Sequence, residues 1–141
     1  MSEVMPVRGV VVGHGGLAAG LIDAVRQIVG DPGDGLVALS NAGRAPETVL
    51  EDIRRTVEGS PAIVFVDLPS GSCAIAARRY TREATGVPVV CGVNLPMLLD
   101  FATHRDMPVE ALVERLVERG RAAIVAPASR ESHGDPAVSR R

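Results

Sequence analysis

Val10-Val11-Val12-Gly13-His14-Gly15-Gly16-Leu17-Ala18-Ala19-Gly20-Leu21 is the stretch on which the reading of the whole chain turns. A short run of β-branched residues stops at a glycine, a histidine stands alone between glycines, and a helical apolar period begins at Leu17. That succession predicts a buried parallel strand feeding a helix. In open α/β sheets, ligands bind in turns at the carboxyl ends of strands. The N–H groups opening the following helix are ready donors for an anion. A histidine flanked by residues without side chains is exposed there and can be approached closely.

The pattern repeats along the chain. Strands are predicted over Val7–Val12, Leu36–Leu39, Ala62–Val66 and Val87–Val93. Between them lie helices: Leu17–Val29, one opened by Pro46, one capped by Ser72 and running to about Ala84, and a short one after Asn94-Leu95-Pro96. In the first helix Leu17, Leu21, Val25, Ile28 and Val29 share the apolar period. In the second it is Val49, Leu50, Ile53 and Val57. Pro108 opens a last helix, with Val109, Leu112, Val113, Leu116 and Val117 at core spacing and Gly120 as its stop. Ala122–Val125 reads as a brief edge strand. The expected fold class is α/β: an open, doubly wound, mostly parallel sheet with helices on both faces. Residues 1–126 form the domain and 127–141 a flexible tail.

Composition narrows the function classes. The 141 residues fit one domain, with 46% hydrophobic and 23% charged residues. Aromatics are 2% with no Trp, which removes the platforms for stacking on bases or sugars. The net charge is −2, all 15 basic residues are arginine, and no basic stripe marks a nucleic-acid partner. Cys73 and Cys91 stand far apart outside any CxxC, as unpaired thiols in a reducing compartment do. No apolar run reaches the roughly 20 residues a bilayer requires, and no signal-peptide pattern opens the chain. The expectation is a cytoplasmic domain.

Two strand ends hold the candidate chemistry. His14 follows the first strand and Asp67 the third, and in sheets of this type these strands are commonly neighbours. Asp67 could then accept a hydrogen bond from one ring nitrogen, fix the tautomer and leave the other nitrogen's lone pair free. Each also has a plainer reading: His14 as a residue tolerating an awkward turn, Asp67 as a turn or cap residue, Ser72 as an N-cap. Gly13-His14-Gly15-Gly16-Leu17-Ala18 also matches the G-x-G-x-x-A dinucleotide fingerprint, but Ser40-Asn41 stands where the ribose-binding acid belongs. Cys73 reads as inert, having no base or basic cluster beside it, and Cys91 as core. The Arg78, Arg79 and Arg82 cluster reads as a solvated helix face. His104 and His133 lack metal-type spacing to each other and to His14.

Three segments together carry a family resemblance: His14-Gly15-x-Leu17-Ala18-x-Gly20-Leu21, Asp67 with Gly71-Ser72, and Gly92-Val93-Asn94-Leu95-Pro96-Met97-Leu98. They resemble the mannose-type (mannose/fructose/sorbose) IIA component of the bacterial phosphotransferase system over about Val7 to Ile124. The resemblance implies a phosphocarrier that accepts a phosphoryl group from HPr on His14 and passes it to a IIB partner on a separate chain. His14 matches the phosphorylated histidine, Asp67 its orienting carboxylate and Ser72 the hydroxyl beside it. Gly15, Gly16 and Gly71 open the helix starts that would bind phosphate, with no metal and no cofactor. It also implies a homodimer exchanging a C-terminal antiparallel edge strand, and contact with the membrane components IIC and IID only through IIB. The alternative is a regulatory IIA-like module whose phosphorylation state controls a partner without sugar transport. A variant feeding phosphate to a dihydroxyacetone kinase fits the Gly92–Leu98 segment less well. Many family members carry an aromatic residue and two glycines after the aspartate, then Ser-Pro; here the run is Leu68-Pro69-Ser70-Gly71-Ser72-Cys73.

Overall fold

The structure is a computed structural model that describes residues 5–84 and 86–128. Strands β1 (Arg8–Gly13), β2 (Leu36–Ser40), β3 (Ala62–Val66) and β4 (Val89–Cys91) form one parallel sheet in the order β2-β1-β3-β4. Helices α1 (Leu17–Val29), α2 (Pro46–Val57), α3 (Ser72–Glu83), α4 (Leu95–Ala102) and α5 (Val109–Ala122) cover it. The strand residues divide by the pleat. Val10, Val12, Val64 and Val66 face α2 and α3, whereas Val11, Ile63 and Phe65 face α1, α4 and α5. β3 is buried along its whole length, as a parallel strand covered on both faces must be. The doubly wound α/β class holds, and β1 and β3 are paired neighbours.

The second face carries the sheet's only aromatic pair among the described residues. Phe65 and Phe101 meet edge to face at 5.3 Å, and Gly9 lies against Phe101. A Cβ at Gly9 would lie 2.8 Å from Leu36 and 2.9 Å from Phe101. Neither side chain has room to retreat, because Phe101 is fully buried. Gly9→Val is expected to cost about 1–3 kcal/mol, the usual range for overpacking a dense core. Chemical denaturation monitored by circular dichroism measures it.

Several elements differ from expectation, each for a visible reason. The buried face of α1 is Ala18, Ile22 and Val25, while Leu17, Ile28 and Val29 are exposed. The helix is rotated so that Ala18, Ile22 and Val25 meet the core. β4 spans three residues and not seven. Pro88 has no N–H to give, and Gly92 and Val93 both donate to the Val66 carbonyl, which turns the chain off the sheet. Ser72 is not the cap of α3: Gly71 occupies that place at φ 95°, and Ser72 is the first helical residue. Gly120 does not end α5 but lies buried inside it. A Cβ there would come 2.7 Å from the Met97 methyl, and the Gly120 carbonyl accepts from Asn94 Nδ2 at 3.0 Å, so the glycine lets α5 close on α4. Arg115 adds a two-pronged bond to Asp100 at 2.7 and 3.0 Å, which holds that carboxyl below its ordinary range.

The expected strand at 122–125 does not form. Ala122 still belongs to α5, and residues 124–128 are irregular, with Ile124 and Val125 exposed. A strand exists only where an edge pairs with it, and this segment meets none within its own chain. Of the tail assigned to 127–141, all but Pro127 and Ala128 lies outside the described residues, as does His133.

Candidate active site

The site is assembled at the carboxyl end of the sheet from three successive strand ends. β1 delivers His14 one residue past its last paired residue, with Gly15 turning the chain at φ 58°. β3, hydrogen-bonded beside it, delivers Asp67 one residue past Val66. β2, on the other flank, delivers Ser40 and Asn41.

His14 Nδ1 lies 2.7 Å from Asp67 Oδ2, and the His14 backbone N–H donates to the same oxygen at 2.9 Å. The other carboxylate oxygen accepts from Leu68 N–H at 2.9 Å. Burial pushes the Asp67 carboxyl up, but the hydrogen bonds and charge of His14, with the Leu68 N–H, outweigh it and hold the carboxyl below its ordinary value. A carboxylate only accepts, so in the neutral ring Nδ1 carries the proton and Nε2 presents its lone pair. The His14 side chain is 44% exposed and that of Asp67 8%. The nucleophilic edge is therefore open while its orienting partner is shielded.

Opposite Nε2 stands the start of α3. A Cβ at Gly71 would lie 3.8 Å from Nε2, and φ 95° is a backbone angle that suits glycine. Ser72 follows directly. α1 begins three residues after His14, so two helix N-termini open toward the imidazole, and neither has an acidic residue in its first turn. Neither pole is offset by an acidic residue at its own helix start, and N–H groups there suit a phosphoryl group.

Two features were missed by sequence reasoning. Cys73, expected to be inert, is fully buried with Sγ 3.9 Å from His14 Nδ1, backing the ring from the helix side. Burial and the Asp67 charge push its thiol up, so it serves as packing and not as a nucleophile. Ser40 and Asn41 also belong to the site. Ser40 Oγ donates to the Gly15 carbonyl at 2.8 Å, and Asn41 Oδ1 accepts from Gly15 N–H at 3.3 Å. The position lacking a ribose-binding acid was the available signal.

His14, Asp67 and Cys73 bring nitrogen, oxygen and sulfur donors within 4.8 Å of one another. Two ligands of a tetrahedral zinc stand roughly 3.3 Å apart. The 2.7 Å His14–Asp67 contact is closer than that and is spaced for a shared proton. His104 is remote, bonded through Nδ1 to the Asp100 carbonyl at 2.8 Å.

The family model for the fructose IIA component of the phosphotransferase system matches residues 9–118, which include all of the sheet but Arg8, together with the His14, Asp67 and Ser72 positions. The chain belongs to this IIA family. No curated protein sequence matches it. Among solved structures, the IIA component is similar to the phosphotransferase system component EIIA of Streptococcus agalactiae. The two share 25% identity with a TM-score of 0.80, over 85% of this chain and 96% of that one. The mannose/sorbose specific IIA subunit of Enterococcus faecalis gives a TM-score of 0.78 at 21% identity, over 88% and 96%. A sigma-54 interaction domain protein of Enterococcus faecalis shares the fold, with a TM-score of 0.72 at 13% identity over 86% and 96%. IIA components act as phosphotransferases in general. Among the described residues of this one, no helix is long and apolar enough to cross a membrane.

Proposed function

We propose that this IIA component is a cytoplasmic phosphocarrier that accepts a phosphoryl group from HPr on His14 Nε2 and passes it to a separate IIB partner. The observation that carries the reading is the 2.7 Å Nδ1–Asp67 contact, which leaves the opposite nitrogen facing the start of α3. In the transfer the bond from Nε2 to phosphorus forms as the donor's P–N bond breaks. Asp67 balances the charge that develops on the ring, and the Ser72 hydroxyl with the N–H groups of Gly16 and Ser72 holds the phosphoryl oxygens, the Leu17 N–H after Gly16 being taken by the His14 carbonyl at 3.2 Å. Leu17, Leu68 and Ile75 are exposed apolar side chains on the same elements and form the rim a docking carrier would cover. Contact with membrane components IIC and IID would run through IIB.

Incubation with phosphoenolpyruvate, enzyme I and HPr tests the reading. An acid-labile label on His14, transferable to a IIB protein, is expected. A regulatory module shares the first step and differs in the recipient: label that forms on His14 but passes to no IIB would favour it. Absence of label with active enzyme I and HPr overturns both.

The assembly we propose is a homodimer. β4 is a sheet edge, and the exposed Ile124 and Val125 follow α5, with Ile124 at a hollow of about 120 Å³ beside Val90 and Cys91. A second subunit's segment after α5, pairing with that edge, would cover both features. Truncation after Ala123 is expected to give monomers by sedimentation, whereas truncation after Ala128 leaves the dimer. A monomeric full-length chain at micromolar concentration overturns this.

A further inference from the structure

The hydroxyl of Ser72 is of use to a phosphoryl group only if its single proton is free to be donated. A serine beside several acceptors can equally point that proton into the protein. What decides its direction is the group already bonded to its oxygen.

That group is Asn41. Gly15 N–H can only donate, so the Asn41 side-chain atom facing it at 3.3 Å is the carbonyl oxygen Oδ1. The amide is thereby oriented, and its NH2 faces Ser72, with Nδ2 donating to Oγ at 3.4 Å. An NH2 group has no lone pair to accept in return. Ser72 Oγ must accept on that side, and its own O–H is directed away from Asn41. The Asn41 backbone is itself tied to the sheet, its N–H donating to the Gly13 carbonyl at 3.2 Å. Ala42 N–H donates to Ser40 Oγ at 3.0 Å, and Ser40 Oγ donates to the Gly15 carbonyl at 2.8 Å, so the loop after β2 is held against the histidine turn.

We infer that Asn41 is a positioning residue for phosphoryl transfer: it fills a lone pair of the Ser72 hydroxyl and leaves that hydroxyl's only proton for the phosphoryl group on His14. The same side chain couples the two phosphate-facing turns, because one amide spans Gly15 after β1 and Ser72 at the start of α3. The inference rests on the phosphocarrier reading of His14.

The test follows phosphorylation of the full chain by phospho-HPr, and separately by phosphoramidate, for wild type, Asn41→Ala, Asn41→Asp, Ser72→Ala and the double Asn41→Ala/Ser72→Ala variant. Ser72→Ala is expected to slow transfer about a hundredfold, the effect of losing one donor to developing charge. Asn41→Ala should slow it about tenfold through the rate constant, with KM for phospho-HPr unchanged. Asn41→Asp keeps an acceptor for Gly15 N–H but takes the Ser72 proton, so it should fall to the level of Ser72→Ala or below. In the Ser72→Ala background the Asn41→Ala penalty should shrink to less than twofold. Thermal melting of each variant separates a folding defect from a transfer defect. An Asn41→Ala penalty of the same size with and without the Ser72 hydroxyl, or no penalty at all, overturns the inference while His14 phosphorylation stands. A wild-type chain that takes label from neither donor overturns the phosphocarrier reading, and the inference with it.

Discussion

The His14→Gln variant is expected to fold normally and to take no phosphoryl group from phospho-HPr, a loss of the whole signal. The ring is 44% exposed at a loop position and fills no core space, so its removal costs little stability. Chemically nothing replaces it. Cys73 Sγ is buried and its thiol is pushed up. His104 lies after α4, with Nδ1 taken up by the Asp100 carbonyl. A glutamine at position 14 still reaches Asp67 through its NH2 but offers no nucleophilic nitrogen. Labelled protein run under acidic and alkaline conditions checks the result, since a phosphoramidate bond is lost in acid. Label persisting on the variant would show that another group is the acceptor.

The second large effect belongs to Asp67. Its two oxygens accept three N–H groups: His14 Nδ1–H and backbone N–H on Oδ2, and Leu68 N–H on Oδ1. Asparagine has only one oxygen. If that oxygen faces His14, the NH2 meets the Leu68 N–H donor to donor. If it faces Leu68, the NH2 donates to Nδ1 and selects the tautomer in which Nε2 carries the proton and cannot attack. Either arrangement impairs the nucleophile, and Asp67→Asn is expected to lower the transfer rate about 10²–10⁴-fold, the range for an orienting acid–base group. Stability should change in a linked way. Because the folded carboxyl is held below its ordinary value near 3.8, the stability it contributes is present above that pH and is lost as pH falls through the folded value. The Asp67→Asn variant should therefore lose less stability between pH 5 and pH 2 than wild type, read as urea midpoints at about half-unit steps. Wild-type transfer kinetics in this variant would reduce Asp67 to a turn residue.

Local patterns in the chain were sufficient for the parallel α/β class, and for His14 and Asp67 at adjacent strand ends. The reason is physical: a β-branched run ending in glycine, followed by a helical period, permits few connections, and the right-handed βαβ crossover brings the first and third strands together. The apolar periods and breakers mark α1 at about Leu17 to Val29, β3 at Ala62–Val66 and the opening of α2 at Pro46, where the structure has them. Ser72 does not cap α3 and Gly120 does not end α5, because a residue's conformational preference is local while its actual use depends on what packs beside it. Gly120 is small so that Met97 and Asn94 can approach, and neither partner is near it in sequence. The rotation of α1 that buries Ala18 and exposes Leu17 follows from the same dependence, since several apolar faces were available and the sheet selected one.

The candidate site divides along the same line. The positions of His14 and Asp67 follow from strand order alone, because each stands one residue past the end of a strand. The placement of Cys73 behind the ring, and of Asn41 between Gly15 and Ser72, depends on how α3 and the loop after β2 sit against those strand ends. Hydrogen bonds of this kind span 26 and 31 residues and have no periodic signature. The chain by itself determined a sheet with a histidine at its mouth. Only the tertiary structure decided which donors and acceptors surround that histidine, because those are set by contacts between segments that no local pattern connects.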